Sequence, residues 1–263
     1  MSTKKAADGT TVTTRSTSEG GHVKNATGFK DMLTVLTTFG NKYNPANELI
    51  QLWVLERKNE SVNVAMTAHK LADQQDKNAE NERNLLFAPI KAYSTRVFNA
   101  LASSTGVSDL TLADARLIVN KIQGGRSARS KKAIATALET GGEAPRTISV
   151  SQQSFDQKVN HWSKLCVLVA EQPGYKPNEE DLKLKAITEY EQKLIASNNK
   201  KVLTGTKLKD ARNTRNFELY DAKTGVIKCA ELVKSYVLSL LHATHPDYKK
   251  INIIPFRTIR ERK

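Results

Sequence analysis

Apolar residues recur along the chain at the three- and four-residue spacing of helices. The segment "TGFKDMLTVLTTFG" follows this pattern, with Thr27 placed to cap the first turn and Gly40 placed to end the helix. The segment "SFDQKVNHWSKLCVLVAEQPG" repeats the arrangement, with Ser154 as the cap and Gly174 near the end. Each half of the chain is therefore predicted to open on an amphipathic helix.

A longer helix is predicted after each of these. The stretches "YNPANELIQL" at Tyr43 and "YKPNEEDLKL" at Tyr175 each place a proline where a helix begins and an acidic residue three positions later. The helical pattern then runs to about Leu86 and to about Leu219, with the polar "KNES" at Lys58 as an expected interruption of the first. Further helices are predicted over 89–103, over 222–243, and over "SDLTLADARLIVNKIQ" with Ser108 as its cap.

The two halves also share residues at a constant offset of 132 positions. About ten identities fall in the roughly 45 aligned pairs that follow Tyr43, several times the number expected by chance. The identical pairs include Tyr43 and Tyr175, Pro45 and Pro177, Glu48 and Glu180, Leu52 and Leu184, Leu71 and Leu203, Arg83 and Arg215, and Asn84 and Asn216. Such a pattern predicts two similar structural units in tandem.

The predicted fold class is all-α, with two tandemly duplicated up-and-down helical units forming an elongated bundle. Short β-prone arms are expected at the N-terminus ("TTVTTRST" at Thr10), in the connector ("RTISVS" at Arg146) and at the C-terminus ("INIIPFRTI" at Ile251). The predicted boundaries are 1–28 for a polar N-terminal arm, 29–122 for helical repeat 1, 123–150 for a basic connector, and 151–263 for helical repeat 2 with a basic C-terminal tail.

A family resemblance supports this organisation. The duplicated pattern, "SQQSF" at Ser151, "YKPNE" at Tyr175 and "ARNTRN" at Ala211 resemble a set of uncharacterised bacterial proteins built from two tandem helical repeats. The resemblance covers most of the chain after the N-terminal arm. It implies the helical-repeat fold and no activity.

The net charge of +14 indicates a polyanion as one class of partner. Repeat 1 is almost neutral, with 11 basic and 10 acidic side chains, so the excess lies mainly in the connector, repeat 2 and the tail. The candidate polyanion-binding residues are Arg126, Arg129, Lys131, Lys132, Lys249, Lys250, Arg257, Arg260, Arg262 and Lys263. Aromatic residues for base stacking are few beside these clusters, which favours non-specific phosphate binding over sequence reading.

Motifs for catalysis are absent from the sequence. It has no phosphate loop, no nucleophile elbow and no His-Glu-x-x-His, so no catalytic residue, cofactor or metal is predicted and the protein is not expected to be an enzyme. His242 and His245 are spaced for one helix face but lack further ligands, which favours polar contacts at a helix end. Asn81-x-Arg83-Asn84 and its second copy are interpreted as capping or inter-helix hydrogen-bonding groups, with a ligand site as the alternative.

Cys166 and Cys229 lie in apolar runs and are predicted to be buried thiols. No segment is long and apolar enough to cross a bilayer, and the N-terminal residues lack the apolar core of a secretory signal. A cytoplasmic protein is therefore expected, with export by a non-classical route left open.

Three functional hypotheses follow. The leading one is a non-catalytic structural or interaction protein that self-assembles through helical faces and terminal arms into a homo-oligomer, a filament or a sheet-like assembly. The alternative is non-specific binding of nucleic acid or another polyanion through the basic connector and tail. A weaker alternative is a helical effector that interacts with membranes.

Overall fold

The computed structural model describes residues 3–5, 11–13, 20–124 and 153–258, and most of them are helical. This confirms the predicted all-α bundle. The α-helices are α1 (Gly20–Thr37), α2 (Leu52–Phe87), α3 (Ile90–Ala102), α4 (Asp109–Gln123), α5 (Phe155–Ala170), α6 (Leu184–Tyr220), α7 (Val226–Leu241) and α8 (Pro246–Asn252). Short 3-10 turns occupy Gly40–Lys42, Glu48–Ile50 and Glu180–Leu182.

The predicted ends of the long helices near Leu86 and Leu219 agree with the structure. Their predicted starts at Pro45 and Pro177 are wrong, because a 3-10 turn follows each proline and the helices begin at Leu52 and Leu184.

Two predicted caps also agree. The Ser108 hydroxyl accepts a hydrogen bond from the Thr111 amide at 3.1 Å, and the Ser154 hydroxyl accepts one from the Gln157 amide at 3.2 Å. The expected interruption at Lys58 is wrong, because α2 is continuous over 36 residues. Lys58 donates to Glu218 at 2.8 Å, and this tertiary contact holds the polar turn in the helix.

The predicted start of α1 is also wrong. The helix begins at Gly20, so Thr27 lies inside it and caps nothing. Asn25 is fully buried and exchanges two hydrogen bonds with the main chain of Arg257, at 2.8 and 2.9 Å. His22 Nδ1 lies 2.7 Å from the Tyr220 hydroxyl. These distant contacts stabilise a first turn that has no apolar pattern of its own.

Two of the three β-prone segments fall at least partly among the described residues. Thr11–Thr13 pairs antiparallel with Thr3–Lys5. No strand forms in the described part of the C-terminal segment, 251–258, which begins at the end of α8. Ile254 and Phe256 instead pack against Gly28 of α1, where an added Cβ would lie 2.9 Å from a methyl group of Ile254. The segment at Arg146 lies outside the described residues.

The chain divides into two compact units. Unit 1 comprises Met1–Asp73 with Lys207–Lys263, and unit 2 comprises Gln74–Thr206. Both boundaries fall inside the long helices α2 and α6. Each unit therefore combines the beginning of one predicted repeat with the end of the other, whereas a division at the connector would separate the two predicted repeats.

Unit 1 has a core of aliphatic and aromatic side chains from α1, α7 and α8, joined by residues of the two long helices. Its fully buried members are Phe29, Met32, Leu36, Leu55, Leu219, Val226, Val233, Val237 and Ile251. Unit 2 has a core of its own from α3, α4 and α5, joined by residues of the two long helices. Its fully buried members are Val97, Leu101, Ala115, Val119, Ile122, Trp162, Ile187 and Leu194.

The two Tyr-x-Pro stretches make the same turn, one in each unit. The buried hydroxyl of Tyr43 donates to the carbonyl of Ile50 at 2.7 Å, and that of Tyr175 donates to the carbonyl of Leu182 at 2.7 Å. Burial raises the pKa of both tyrosines, that of Tyr175 to about 12, so the hydroxyls stay protonated donors at neutral pH. Each bond closes the turn that leads into a long helix.

Tyr43→Phe and Tyr175→Phe are each expected to lower the free energy of unfolding by about 1 kcal/mol, because each leaves a buried carbonyl without its donor. Urea unfolding followed by circular dichroism measures both. Tyr248→Phe is the control, since its hydroxyl makes no hydrogen bond within the described part of the chain. Equal stability of all three variants would contradict a structural role for the paired turns.

Candidate functional site

A largely buried acid and base of unit 2, Asp76 and Lys201, pair with each other. Asp76 accepts hydrogen bonds from Lys201 at 2.8 and 2.9 Å and from the Thr204 hydroxyl at 3.0 Å. The Asp76 and Lys201 side chains are only 12% and 18% exposed. A buried acid with a matched base and a hydroxyl donor is typical of a structural ion pair rather than of an open reaction site.

The two Asn-x-Arg-Asn motifs also serve the packing of the long helices. In unit 2, Arg83 lies 3.4 Å from the Asn198 side-chain oxygen, and its guanidinium stacks 3.9 Å from the ring centre of Phe155. In unit 1, Arg215 is buried and lies 3.2 Å from Nε2 of His69. The interpretation of this motif as an inter-helix hydrogen-bonding group is confirmed for its two arginines.

The histidine pair lies between α7 and α8 rather than on one helix face. His242 ends α7 with a left-handed φ of 63°, whereas His245 caps α8 by accepting from the Asp247 amide at 3.2 Å. The prediction of polar contacts at a helix end is confirmed for His245. Within the described residues, no group of three or more histidine, cysteine or acidic side chains is placed to hold a metal ion.

The two cysteines are buried, as predicted. Burial, reinforced by the neighbouring charge of Glu191, raises the pKa of the Cys166 thiol to about 12. Burial also raises the pKa of the Cys229 thiol. Neither cysteine therefore provides a thiolate nucleophile at neutral pH.

Three of the predicted polyanion-binding residues can be placed. Lys249, Lys250 and Arg257 are exposed, and Lys250 pairs with Asp247 at 2.9 Å. The remaining seven lie outside the described residues: Arg126, Arg129, Lys131, Lys132, Arg260, Arg262 and Lys263. The structure therefore brings together only part of the C-terminal cluster.

Unit 2 contains a polar cleft of about 800 Å³ between the end of α3 and the segment after α5. Arg96 on its rim forms a bidentate pair with Asp181, and Tyr93 donates to the Asp181 carbonyl. The Arg96 guanidinium lowers the pKa of the Asp181 carboxyl. Arg96 is thus paired with an acid outside the lining, and Lys176 and Glu179 are the other charged residues that line the cleft.

Each unit carries an open groove between α2 and α6, and the two grooves are equivalent by sequence. Groove 1, in unit 1, has a volume of about 440 Å³ and is lined by Ser61, Val64, Ala65 and Ala68 of α2 with Thr214 and Glu218 of α6. Groove 2, in unit 2, has a volume of about 530 Å³ and is lined by Lys193, Ala196, Ser197 and Lys200 of α6 with Glu82 and Leu86 of α2. All six positions correspond at the offset of 132.

Large apolar side chains are exposed in or beside both grooves. Leu71 and its equivalent Leu203 are 60% and 56% exposed, and Leu85 and its equivalent Phe217 are 76% and 56% exposed. Single exposed leucines are ordinary, but here large apolar side chains are exposed at two pairs of positions that correspond at the offset of 132. The sequence comparison paired Leu71 with Leu203 but did not predict that these side chains are exposed.

No family model, curated protein or solved structure matches this chain. Among the described residues, no helix combines the length and the apolar composition needed to cross a membrane. The matched grooves and their exposed apolar residues are therefore the candidate functional site.

Proposed function

We propose that this is a structural or interaction protein that assembles with copies of itself through the faces of its long helices, assisted by its terminal arms. One observation carries the proposal: apolar side chains stay exposed at equivalent positions of both repeats, at Leu71 and Leu203 and at Leu85 and Phe217. Covering such side chains stabilises an association by about 25 cal/mol for each Å² of apolar surface removed from water.

A tandem duplication is part of the same proposal. It is supported by the matched turns at Tyr43 and Tyr175, by the long helices of 36 and 37 residues that follow them, and by the equivalent lining of the grooves. A chain that displays one kind of surface twice is bivalent. Bivalence allows each copy to bind two others, which is the requirement for growth beyond a dimer.

The mass of the purified protein tests self-assembly. We expect analytical ultracentrifugation to show a mass that rises with concentration over the micromolar to millimolar range. A variant without residues 1–19 retains all of α1, which begins at Gly20. Comparing its mass with that of the full chain measures the contribution of these N-terminal residues. A strict monomer at the highest concentration, with and without the arm, would refute the proposal.

Polyanion binding through the connector and tail is a second candidate function. The Gln153 side chain donates to the Lys121 carbonyl at 2.7 Å, so the residues on either side of the connector are held next to each other. The connector is thus an insertion at one point of unit 2, and it carries Arg126, Arg129, Lys131 and Lys132.

Replacing those four connector residues with alanine is expected to reduce nucleic-acid affinity and to flatten its dependence on salt, by about 0.9 in the logarithmic slope for each phosphate that the variant no longer neutralises. Binding to duplex DNA and to RNA is measured by fluorescence anisotropy over a salt series. Replacing Lys30, Lys70 and Lys91, which are exposed in the nearly neutral repeat 1, is the control. Unchanged affinity and slope in the connector variant would exclude the connector as a binding site.

A further inference from the structure

Grooves 1 and 2 share one arrangement of positions but carry opposite charge. Groove 1 has two glutamates, Glu60 and Glu218, and one arginine, Arg57. Groove 2 has two lysines, Lys193 and Lys200, and one glutamate, Glu82. The difference arises at equivalent positions, because Ser61 and Ala68 of groove 1 correspond to the two lysines of groove 2.

Three of these six charges have ion-pair partners within their own unit. Glu218 pairs with Lys58 at 2.8 Å, and Lys200 pairs with Glu82 at 2.5 Å. Within the described part of the chain, Glu60, Lys193 and Arg57 have no ion-pair partner, and Arg57 lies over the Trp53 ring at 5.9 Å from its centre. Glu60 of groove 1 is therefore the acid, and Lys193 of groove 2 the base, that we take to be available to another molecule.

We propose that self-assembly is heterologous, with groove 1 of one copy packed against groove 2 of the next. This inference rests on the proposed function and specifies its contact. Like pairing of groove 2 with groove 2 brings the Lys193 residues of two copies together, whereas unlike pairing places Lys193 near Glu60. The apolar residues of both faces, Val64 in groove 1 and Leu85 in groove 2, are covered in the same contact.

A heterologous contact has a consequence for growth. When groove 1 of one copy binds groove 2 of another, the pair still presents one free groove of each kind. A third copy can therefore add at either end. Like pairing of either groove alone, in contrast, would stop at a dimer.

Capping each groove separately tests this. Val64→Glu blocks groove 1 and Leu85→Glu blocks groove 2, and both side chains are exposed, so neither change disturbs a core. Leu117→Glu on α4 is the matched control, an exposed leucine outside both grooves. Each capped variant alone is expected to sediment as a monomer, and an equal mixture of the two is expected to form a dimer.

The outcomes separate the two proposals. If the unmodified protein is a monomer, the proposed function fails. If it assembles and either capped variant still dimerises alone, pairing is between like grooves and the heterologous contact is overturned. If it assembles and neither cap changes its mass, the grooves are not the contact.

Charge exchange provides an independent measurement on the same contact. Glu60→Lys and Lys193→Glu are each expected to weaken self-association about threefold at low salt, and the double variant is expected to restore it. Sedimentation equilibrium at roughly 20 mM salt, where screening is weak, and at roughly 500 mM salt, where it is strong, measures the change. If the double variant loses as much self-association as the two single variants lose together, the Glu60–Lys193 pairing is overturned.

Discussion

Gly174→Ala is expected to lower the free energy of unfolding by about 3 kcal/mol, at the upper end of the cost of overpacking. A Cβ on Gly174 would lie 1.9 Å from the carbonyl oxygen of Thr105 and 3.1 Å from its carbonyl carbon. Both are main-chain atoms, so no change of rotamer relieves the overlap. Either the turn after α3 or the segment before Tyr175 must move, and the Tyr175 hydrogen bond to Leu182 lies next to that movement.

Gly205→Ala is the matched control in the same unit. Its added Cβ would lie 3.7 Å from the nearest atom, Oδ1 of Asp76, which is an ordinary contact. Gly205 lies within α6, where alanine is favoured over glycine, so this variant is expected to gain about 0.5 to 1 kcal/mol. Urea unfolding of both variants measures the difference, and a Gly174→Ala variant as stable as the unmodified protein would contradict the close approach at Thr105.

The helices themselves were largely predictable because their signals are local. The ends of α2 and α6 lie at Phe87 and Tyr220, one residue from the predicted positions, because apolar spacing persists up to those ends. The start of α1 was not predictable, because residues 20–26 are held by contacts with Arg257 and Tyr220 almost two hundred or more positions away. Such contacts leave no periodic pattern.

Which parts of the chain form each unit could not be predicted from the sequence, for a different reason. An offset of 132 identifies which residues are equivalent, but it does not identify which repeat supplies the neighbour of each helix. The second part of α6 belongs to unit 1 with α1, although it follows α5 of unit 2 in the sequence. The same internal similarity is compatible with two arrangements. Each predicted repeat could pack on itself, or each unit could combine parts of both, and only tertiary contacts distinguish these arrangements.

The grooves could not be predicted from the sequence, because the usual rule that large apolar side chains are buried fails along α2. In α2 the alanines Ala65, Ala72 and Ala79 are buried, whereas Leu71 and Leu85 are exposed. A prediction from hydrophobicity alone places leucine inside and alanine at the edge. The signal that was present is the seven-residue spacing: Leu55, Val62, His69 and Asp76 form the inward series, and the exposed leucines fall outside it.

That inward series becomes polar toward the middle of α2, which identifies Asp76 and Lys201 as a specific element of packing. Burying an ion pair gives little net stability, because desolvation offsets most of the attraction between the charges. The pair has a larger effect on other alignments of α2 and α6. An alignment that separates Asp76 from Lys201 leaves two unpaired charges in a poorly solvated position. The pair therefore favours one alignment of α2 and α6 within unit 2.

Replacing only one residue of the Asp76–Lys201 pair is expected to lower the free energy of unfolding far more than replacing both. Asp76→Leu leaves Lys201 with Glu80 at 3.6 Å as its remaining acid, and we expect a decrease of about 3 kcal/mol in the free energy of unfolding. Lys201→Met leaves Asp76 with the Thr204 hydroxyl and is expected to cost a similar amount.

The double variant Asp76→Leu with Lys201→Met is expected to recover to within about 1 kcal/mol of the unmodified protein, since apolar side chains of similar volume replace a buried pair at little cost. A double-mutant cycle from urea unfolding isolates the interaction energy. If the two single decreases simply add in the double variant, the pair does not act as a unit and its role in alignment is refuted. If the double variant is stable but its assembly changes, the alignment of α2 and α6 also sets the shape of groove 2, because Lys200 and Glu82 flank the same interface.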